Sequence, residues 1–208
     1  MKVLILGSTG RTGQQLVKQA LEQNHDVTAF ARDPSRLVLR HEKLKVIEGN
    51  ALDKNRLLQV LQGKDAVLSA LGMGKSLKSN DLISNAVSIL IPAMNSANVR
   101  RLIFLSAFGV GETFSQANWL QKIIFKTFLR NIYADKAKAE ELIHRSNLEW
   151  TLVYPVLLTD APGKGQYIAG EKFQMKGMPK VSRADVAAFM LRLLTDNAFI
   201  RKGAAVMS

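Results

Sequence analysis

The stretch "KVLILGSTGRTGQQLVKQAL" constrains the fold more than any other. An apolar run ending at Leu6 meets Gly7, with Gly10 and Gly13 following at intervals of three. A helical pattern then resumes at once with Leu16, Val17, Ala20 and Leu21. Glycine loses more backbone entropy in a helix than other residues, so three of them between a strand and a helix need a compensating gain. Gly7 permits the tight turn, Gly10 lets backbone come close to a pyrophosphate, and Gly13 allows close helix–strand packing. Thr9, Arg11 and Thr12 lie among them, beside the unpaired N–H groups and positive end of the helix. No Gly-Lys-Ser/Thr ends the loop, which separates it from a Walker phosphate loop.

The rest of the chain repeats that strand–helix alternation. Continuous apolar runs occur at Val3–Leu6, Val27–Ala31, Leu44–Ile47, Ala66–Ala70, Leu102–Leu105 and Thr151–Tyr154. Runs apolar on every position, rather than alternate ones, predict parallel strands covered on both faces. Helical stretches fall between them at about 12–23, 54–62, 80–97 and 132–146, and "VSRADVAAFMLRLLTD" reads as a last helix capped by Ser182. The expectation is an α/β, Rossmann-like, doubly wound and mostly parallel sheet with helices on both faces. At 208 residues it forms one domain over 1–208. Two segments break the alternation, about 107–130 and 155–180. Ligands in such sheets sit beyond the carboxyl ends of the strands, so these segments are the expected substrate walls.

The end of the second strand selects between dinucleotides. An acidic side chain there suits the ribose 2′-hydroxyl of NAD, and a cation suits the 2′-phosphate of NADP. "TAFARDPSRL" places Arg32 and Arg36 there, and with Arg11 three guanidiniums can converge on one phosphate. Asp33 is the counter-signal. The balance predicts NADPH (NADP+) in preference to NADH. "EGNALD" puts Asn50, Ala51 and Leu52 where an adenine is held, with Asp53 as the cap of the next helix. "LSALGMG" runs Ala70, Leu71 and Gly72 beside the ribose and nicotinamide.

Composition removes other classes. Hydrophobic residues make up 47% and charged residues 22%, the balance of a globular protein. The absence of cysteine excludes disulfides, thiolate catalysis and Cys-ligated metals, and fits a reducing, cytoplasmic setting. No apolar run approaches a membrane span, and a strand begins too early for a signal peptide. The net charge of +12 is spread from Lys2 to Lys202 without a block of five, which points to an anionic small ligand rather than to nucleic acid. His25, His41 and His144 stand far apart, and no metal is expected. No Gly-x-Ser-x-Gly elbow is present, which removes a hydrolase reading.

"GSTGRTG", "ARDPSRL", "LSAFG", "KAKAEELIHRSNLEWTLVYP" and "VSRADVAAFML" together resemble the atypical short-chain dehydrogenase/reductases. Within these, the chain is similar to the NmrA-like NAD(P)H-binding proteins and to the flavin reductase (biliverdin reductase B) type, over nearly its whole length. The resemblance implies Ser106 as the serine that orients a substrate carbonyl or the nicotinamide amide, a position it would fill equally as a strand-end cap. Phe108 matches the aromatic that lines the substrate pocket, and Lys136 the lysine that contacts the cofactor, with Pro155 bordering it. The family's Tyr-x-x-x-Lys places Ile132 where the general acid belongs. Tyr133 is displaced by one position and is the candidate acid. Tyr154 stands where relatives carry arginine before the proline and is expected against the substrate.

The run Trp119–Arg130 sets Leu120, Ile123, Ile124, Phe125, Phe128 and Leu129 in a wide apolar arc with a stripe of Lys122, Lys126 and Arg130. That pattern suits a substrate lid, or a second subunit of a homodimer in place of a monomer. The leading expectation is an NADPH-dependent oxidoreductase that passes hydride to a small planar acceptor, a flavin, quinone or conjugated carbonyl. The alternative is a non-catalytic NADP(H) sensor acting through a protein partner.

Overall fold

Val3, Leu4, Ile5 and Leu6 are each at most 1% exposed, the state of a strand covered on both faces. They form most of β1 (Lys2–Leu6), followed by β2 (Asp26–Ala31), β3 (Leu44–Glu48), β4 (Ala66–Ser69), β5 (Arg101–Leu105) and β6 (Glu149–Pro155). These alternate with α1 (Arg11–Glu22), α2 (Lys54–Leu61), α3 (Leu82–Ser96), α4 (Trp119–Thr127) and α5 (Arg130–His144). The chain closes with β7 (Leu157–Thr159), β8 (Ile168–Gly170), β9 (Lys180–Ser182), α6 (Arg183–Arg192) and β10 (Lys202–Met207). This computed structural model describes residues 1–72, 81–127, 129–172 and 177–208. Met73 and Gly74 of "LSALGMG", Phe128, the side chain of Leu120 and residues 173–176 of the second expected substrate wall lie outside the described residues.

The large sheet runs β3-β2-β1-β4-β5-β6-β10-β8. Every neighbour pair is parallel except β10–β8. Strand order reverses at β1, so the carboxyl ends of β1 and β4 form a switch point where a crevice opens. One helical layer pairs α1 with α6, and the other gathers α2, α3 and α5. Edge strand β3 is only half-buried, consistent with one unpaired side.

The six expected strands are present, and four further ones are added. β7, β8 and β9 have three residues each, too few for a periodic signal. β10 contains Gly203, Ala204 and Ala205, small residues with weak strand preference. It becomes a strand because it pairs along β6, Gly203 opposite Leu152 and Ala205 opposite Tyr154. Ser182 caps α6 by accepting from the Asp185 N–H, and Asp53 caps α2 by accepting from the Arg56 N–H, both as expected.

Two buried ionic side chains tie layers together. The Arg101 guanidinium donates to the carbonyls of Leu193 and Glu149 and to Thr151 Oγ1, joining β5 to β6 and to the carbonyl end of α6. Asp135 on α5 accepts from the Ile83 and Ser84 N–H groups at 3.0 and 2.8 Å, capping α3 from a neighbouring helix.

At the first turn Gly7 has φ +72°, and a Cβ on Gly13 would overlap the Gly7 carbonyl oxygen. Gly13→Ala is therefore expected to force backbone apart, at about 1–3 kcal/mol. Thermal melting should show a midpoint lowered by several degrees, at roughly 2–4 °C per kcal/mol for a chain of this size.

Candidate functional site

A cavity of about 760 Å³ opens at the switch point, within the size range of ligand pockets. The first turn supplies Gly7, Thr9, Gly10, Arg11 and Thr12 to its wall. Arg32 and Arg36 enter from the loop after β2, Asn50 and Ala51 from that after β3, and Ala70, Leu71 and Gly72 from the end of β4. No side chain caps the start of α1, so its first-turn N–H groups remain available to an anion at this wall.

Two of the expected cofactor residues sit elsewhere. Gly13 lies beneath the turn, where it sets the distance between α1 and β1. Leu52 is 38% exposed and outside the cavity wall; its N–H donates to Asn50 Oδ1, so it supports the loop through backbone. Asp33 accepts from the Ser35 N–H and Oγ, capping a 3₁₀ turn over Pro34–Arg36. Both bonds are to Oδ1 of an exposed carboxylate, and Arg32 and Arg36 are the cations that line the cavity at this end. Arg11 lines the same cavity as Arg32 and Arg36. It donates to Asp160 at 2.5 Å, and Asp160 also accepts from Arg183, a cavity-wall residue, at 2.7 Å. The hydrogen bond from Arg11, more than any other interaction, holds the Asp160 carboxyl below its ordinary range. Both Arg11 and Asp160 are largely exposed, so the pair adds little stability.

The other end of the cavity is apolar. Ser106, Ala107 and Phe108 follow β5, and α4 roofs the space with Gln121, Ile124 and Phe125. The rings of Phe125 and Tyr133 pack with centroids 4.9 Å apart. Trp119, 74% exposed, faces outward from the same helix. Pro155, Leu158, Met178 and Pro179 complete the wall. Phe30, Ile83 and Ala86 also line the cavity without a signal in the sequence, since they read as ordinary core residues and face space only because the strands end there.

Helix α5 delivers polar groups inward. Tyr133, Lys136 and Glu140 are spaced three and four apart and share a face. The Tyr133 hydroxyl donates to the Phe108 carbonyl at 2.9 Å, and burial pushes its pKa well up, which weakens it as an acid. Lys136 Nζ donates to the Leu105 carbonyl at 2.9 Å; burial lowers it to about 8, against the opposing pull of Glu140 and Asp135. Ser106 Oγ donates to Glu140 Oε1, and the Tyr154 hydroxyl donates to Glu140 Oε2 at 3.2 Å. Burial raises Glu140 to about 7, while both hydrogen bonds and the Lys136 charge pull the other way. Tyr154 differs from its expected place against the substrate. It is 0% exposed and absent from the cavity wall, because its side of β6 faces the Glu140 carboxylate and Gly203. Glu140 itself was legible only as the residue four beyond Lys136.

Residues 7–197 match the NAD(P)H-binding family. The chain belongs to this family. An oxidoreductase of Pestalotiopsis microspora is 27% identical over 168 residues, covering 72% of this chain; the chain spans 63% of that protein's length. A short-chain dehydrogenase/reductase of Veillonella parvula, solved in complex with NADP, superposes with a TM-score of 0.85 at 23% identity, over 100% of this chain and 94% of its own. The anaerobillin reductase ChuY of Escherichia coli O157:H7 superposes at 0.83 with 20% identity, over 100% and 97%. At these identities the two structures show a common fold. Among the described residues no helix is long and apolar enough to cross a membrane, and no group of three or more His, Asp or Glu side chains stands at metal-binding spacing.

Glu140 makes folding pH-dependent, because a carboxyl raised from 4.5 to about 7 binds its proton more tightly in the folded state. Its stabilising effect is complete below its unfolded value and is lost as pH rises through about 7. Urea titrations of wild type and Glu140→Gln should therefore diverge between these pH values. The variant should gain on the wild type by about 3 kcal/mol, at 1.36 kcal/mol per pKa unit, and the gap should level off at higher pH.

Proposed function

We propose that this NAD(P)H-binding protein is an NADPH-dependent oxidoreductase that reduces a small planar acceptor such as a flavin, a quinone or a conjugated carbonyl. One observation carries the reading: a single cavity joins an end walled by Arg32, Arg36 and the uncapped start of α1 to an apolar chamber walled by Phe108, Ile124 and Phe125. The first end suits the 2′-phosphate and pyrophosphate of NADPH, and the second suits a flat, apolar acceptor. The bound cofactor would supply a hydride. The protein's part is to hold donor and acceptor in contact and to exclude water, for which α4 and the Phe125–Tyr133 stack are placed. Gly10 admits the pyrophosphate, Asn50 and Ala51 hold the adenine, and Ala70, Leu71, Gly72, Lys136 and Pro155 border the ribose and nicotinamide. Ser106 is the polar group assigned to the acceptor, and Tyr133, with its hydroxyl held by Phe108, serves as wall. The names of the Pestalotiopsis and Escherichia relatives, an oxidoreductase and a reductase, support the same class.

The commitment of both Ser106 and Tyr133 to protein acceptors favours a second reading, an NADP(H)-binding sensor without chemistry of its own. Tryptophan-fluorescence titration with NADPH and NADH, followed by stopped-flow oxidation with FMN and a simple quinone, separates the two. The reductase reading expects tighter NADPH binding and acceptor-dependent oxidation; binding without oxidation of either acceptor selects the sensor. Arg32→Ala combined with Arg36→Ala should weaken NADPH at least tenfold, since a charge-assisted hydrogen bond contributes roughly 1.5–3 kcal/mol. NADH binding should change by less than threefold, on the order expected for exposed charges that touch no phosphate.

A further inference from the structure

Glu140 is a buried carboxylate, 2% exposed, whose hydrogen bonds among the described residues come from hydroxyls instead of a cation. Its two oxygens meet different partners. Oε1 meets Ser106, a residue of the cavity wall. Oε2 meets Tyr154 and sits against Gly111, closely enough that a Cβ there would collide with it. Gly111 and Glu112 form an exposed turn. The carboxylate thus lies between Ser106 on the cavity wall and the exposed Gly111. Lys136, one turn earlier on α5, spends its ammonium on the Leu105 carbonyl.

We propose that Glu140 is a positioning residue that stores the proton Ser106 gives to the acceptor. This rests on the reductase reading above and deepens it. With the carboxyl protonated, Oε1–H donates to Ser106 Oγ, and the serine hydroxyl turns its own hydrogen into the cavity. With the carboxyl ionised, the serine hydroxyl is drawn back onto Oε1; the Oγ–Oε1 contact serves both arrangements. The transfer balances. The bound cofactor would supply the hydride electron pair; the Ser106 O–H bond breaks as an O–H or N–H bond forms on the reduced acceptor. Ser106 Oγ takes the Oε1 proton, leaving a carboxylate, and solvent beside Gly111 restores that proton.

The groups facing Glu140 agree with this role. Lys136 lies on its own helix, Ser106 on the segment after β5, Tyr154 on β6, and Gly111 and Glu112 at the start of a 3₁₀ helix. Burial and the Glu112 charge favour the acid; Lys136 and the two hydroxyl donors favour the carboxylate. The near balance holds the group at about 7, where both forms are populated.

The test has a readout apart from turnover. Infrared difference spectra of the full chain labelled with ¹³C-glutamate should show one protonated carboxyl that persists to near neutral pH and is missing in Glu140→Gln. In parallel, kcat for a simple quinone at saturating NADPH should fall tenfold per pH unit above that midpoint. Glu140→Gln, neutral and of the same shape, should lower kcat at pH 6 at least tenfold, abolish the limb and leave KM for NADPH unchanged. Tyr154→Phe removes a donor to the carboxylate, so both the infrared midpoint and the limb should move to higher pH. A carboxyl that titrates in the ordinary range overturns the proposal, as does a Glu140→Gln enzyme that keeps the wild-type rate and limb; both leave the reductase reading standing. A wild type that binds NADPH and reduces no acceptor overturns the reductase reading, and the proton relay with it.

Discussion

The contact on which the rest depends is the approach of backbone to backbone at the first turn. At Gly7, φ +72° and the nearness of the Ala70 carbonyl, 2.5 Å from where a Cβ would stand, bring the ends of β1 and β4 together. Gly13 lets α1 start directly against that turn. Because no side chain intervenes, the first-turn N–H groups of α1 face the crevice instead of a cap. A helix start in this state is electrostatically incomplete, and an anion completes it. The position of the arginine-walled end of the cavity, and of the apolar end beyond it, follows from that geometry.

Helix α5 is the second organising element, and it works through buried polar groups. Its Asp135 caps α3, its Tyr133 and Lys136 hold the carbonyls of Phe108 and Leu105, and its Glu140 engages Ser106 and Tyr154. Each is a partner for a strand-end or helix-end group that would otherwise be buried unsatisfied, at about 1–3 kcal/mol apiece. The same helix therefore stabilises the carboxyl ends of β5 and β6 and furnishes the wall of the acceptor chamber. Stability and chemistry draw on one set of side chains, so substitutions there need a readout that separates them.

Local signals were reliable where one residue type had one physical use. The glycine spacing, the Asp53 and Ser182 caps and the unbroken apolar runs each predicted what is found, because turns, caps and two-sided burial leave a mark within a few residues. Signals that depended on side-chain direction were less reliable. Arg11 read as one of three guanidiniums at a phosphate; it lines the cavity with Arg32 and Arg36 and also pairs with Asp160, 149 residues away, a contact no local pattern shows. Tyr154 read as a substrate contact and points into the layer behind the cavity, since the side a strand residue faces depends on the neighbouring strand and helix. Asp33 read as a counter-signal at the end of β2 and also caps the 3₁₀ turn that follows it.

What the sequence alone determined is the Rossmann-like architecture and the glycine turn at which the cavity opens, because both rest on periodicity and on glycines adjacent in the chain. What only the tertiary structure decided is the apolar end of the cavity. Strands β7 to β10 exist by pairing with distant partners, and Phe30, Ile83 and Ala86 become cavity wall only where strands stop. The Ser106–Glu140–Tyr154 cluster joins three elements, and its character comes from burial. A glutamate four residues after a lysine reads as a solvated helix face until the sheet is folded against it and water is removed.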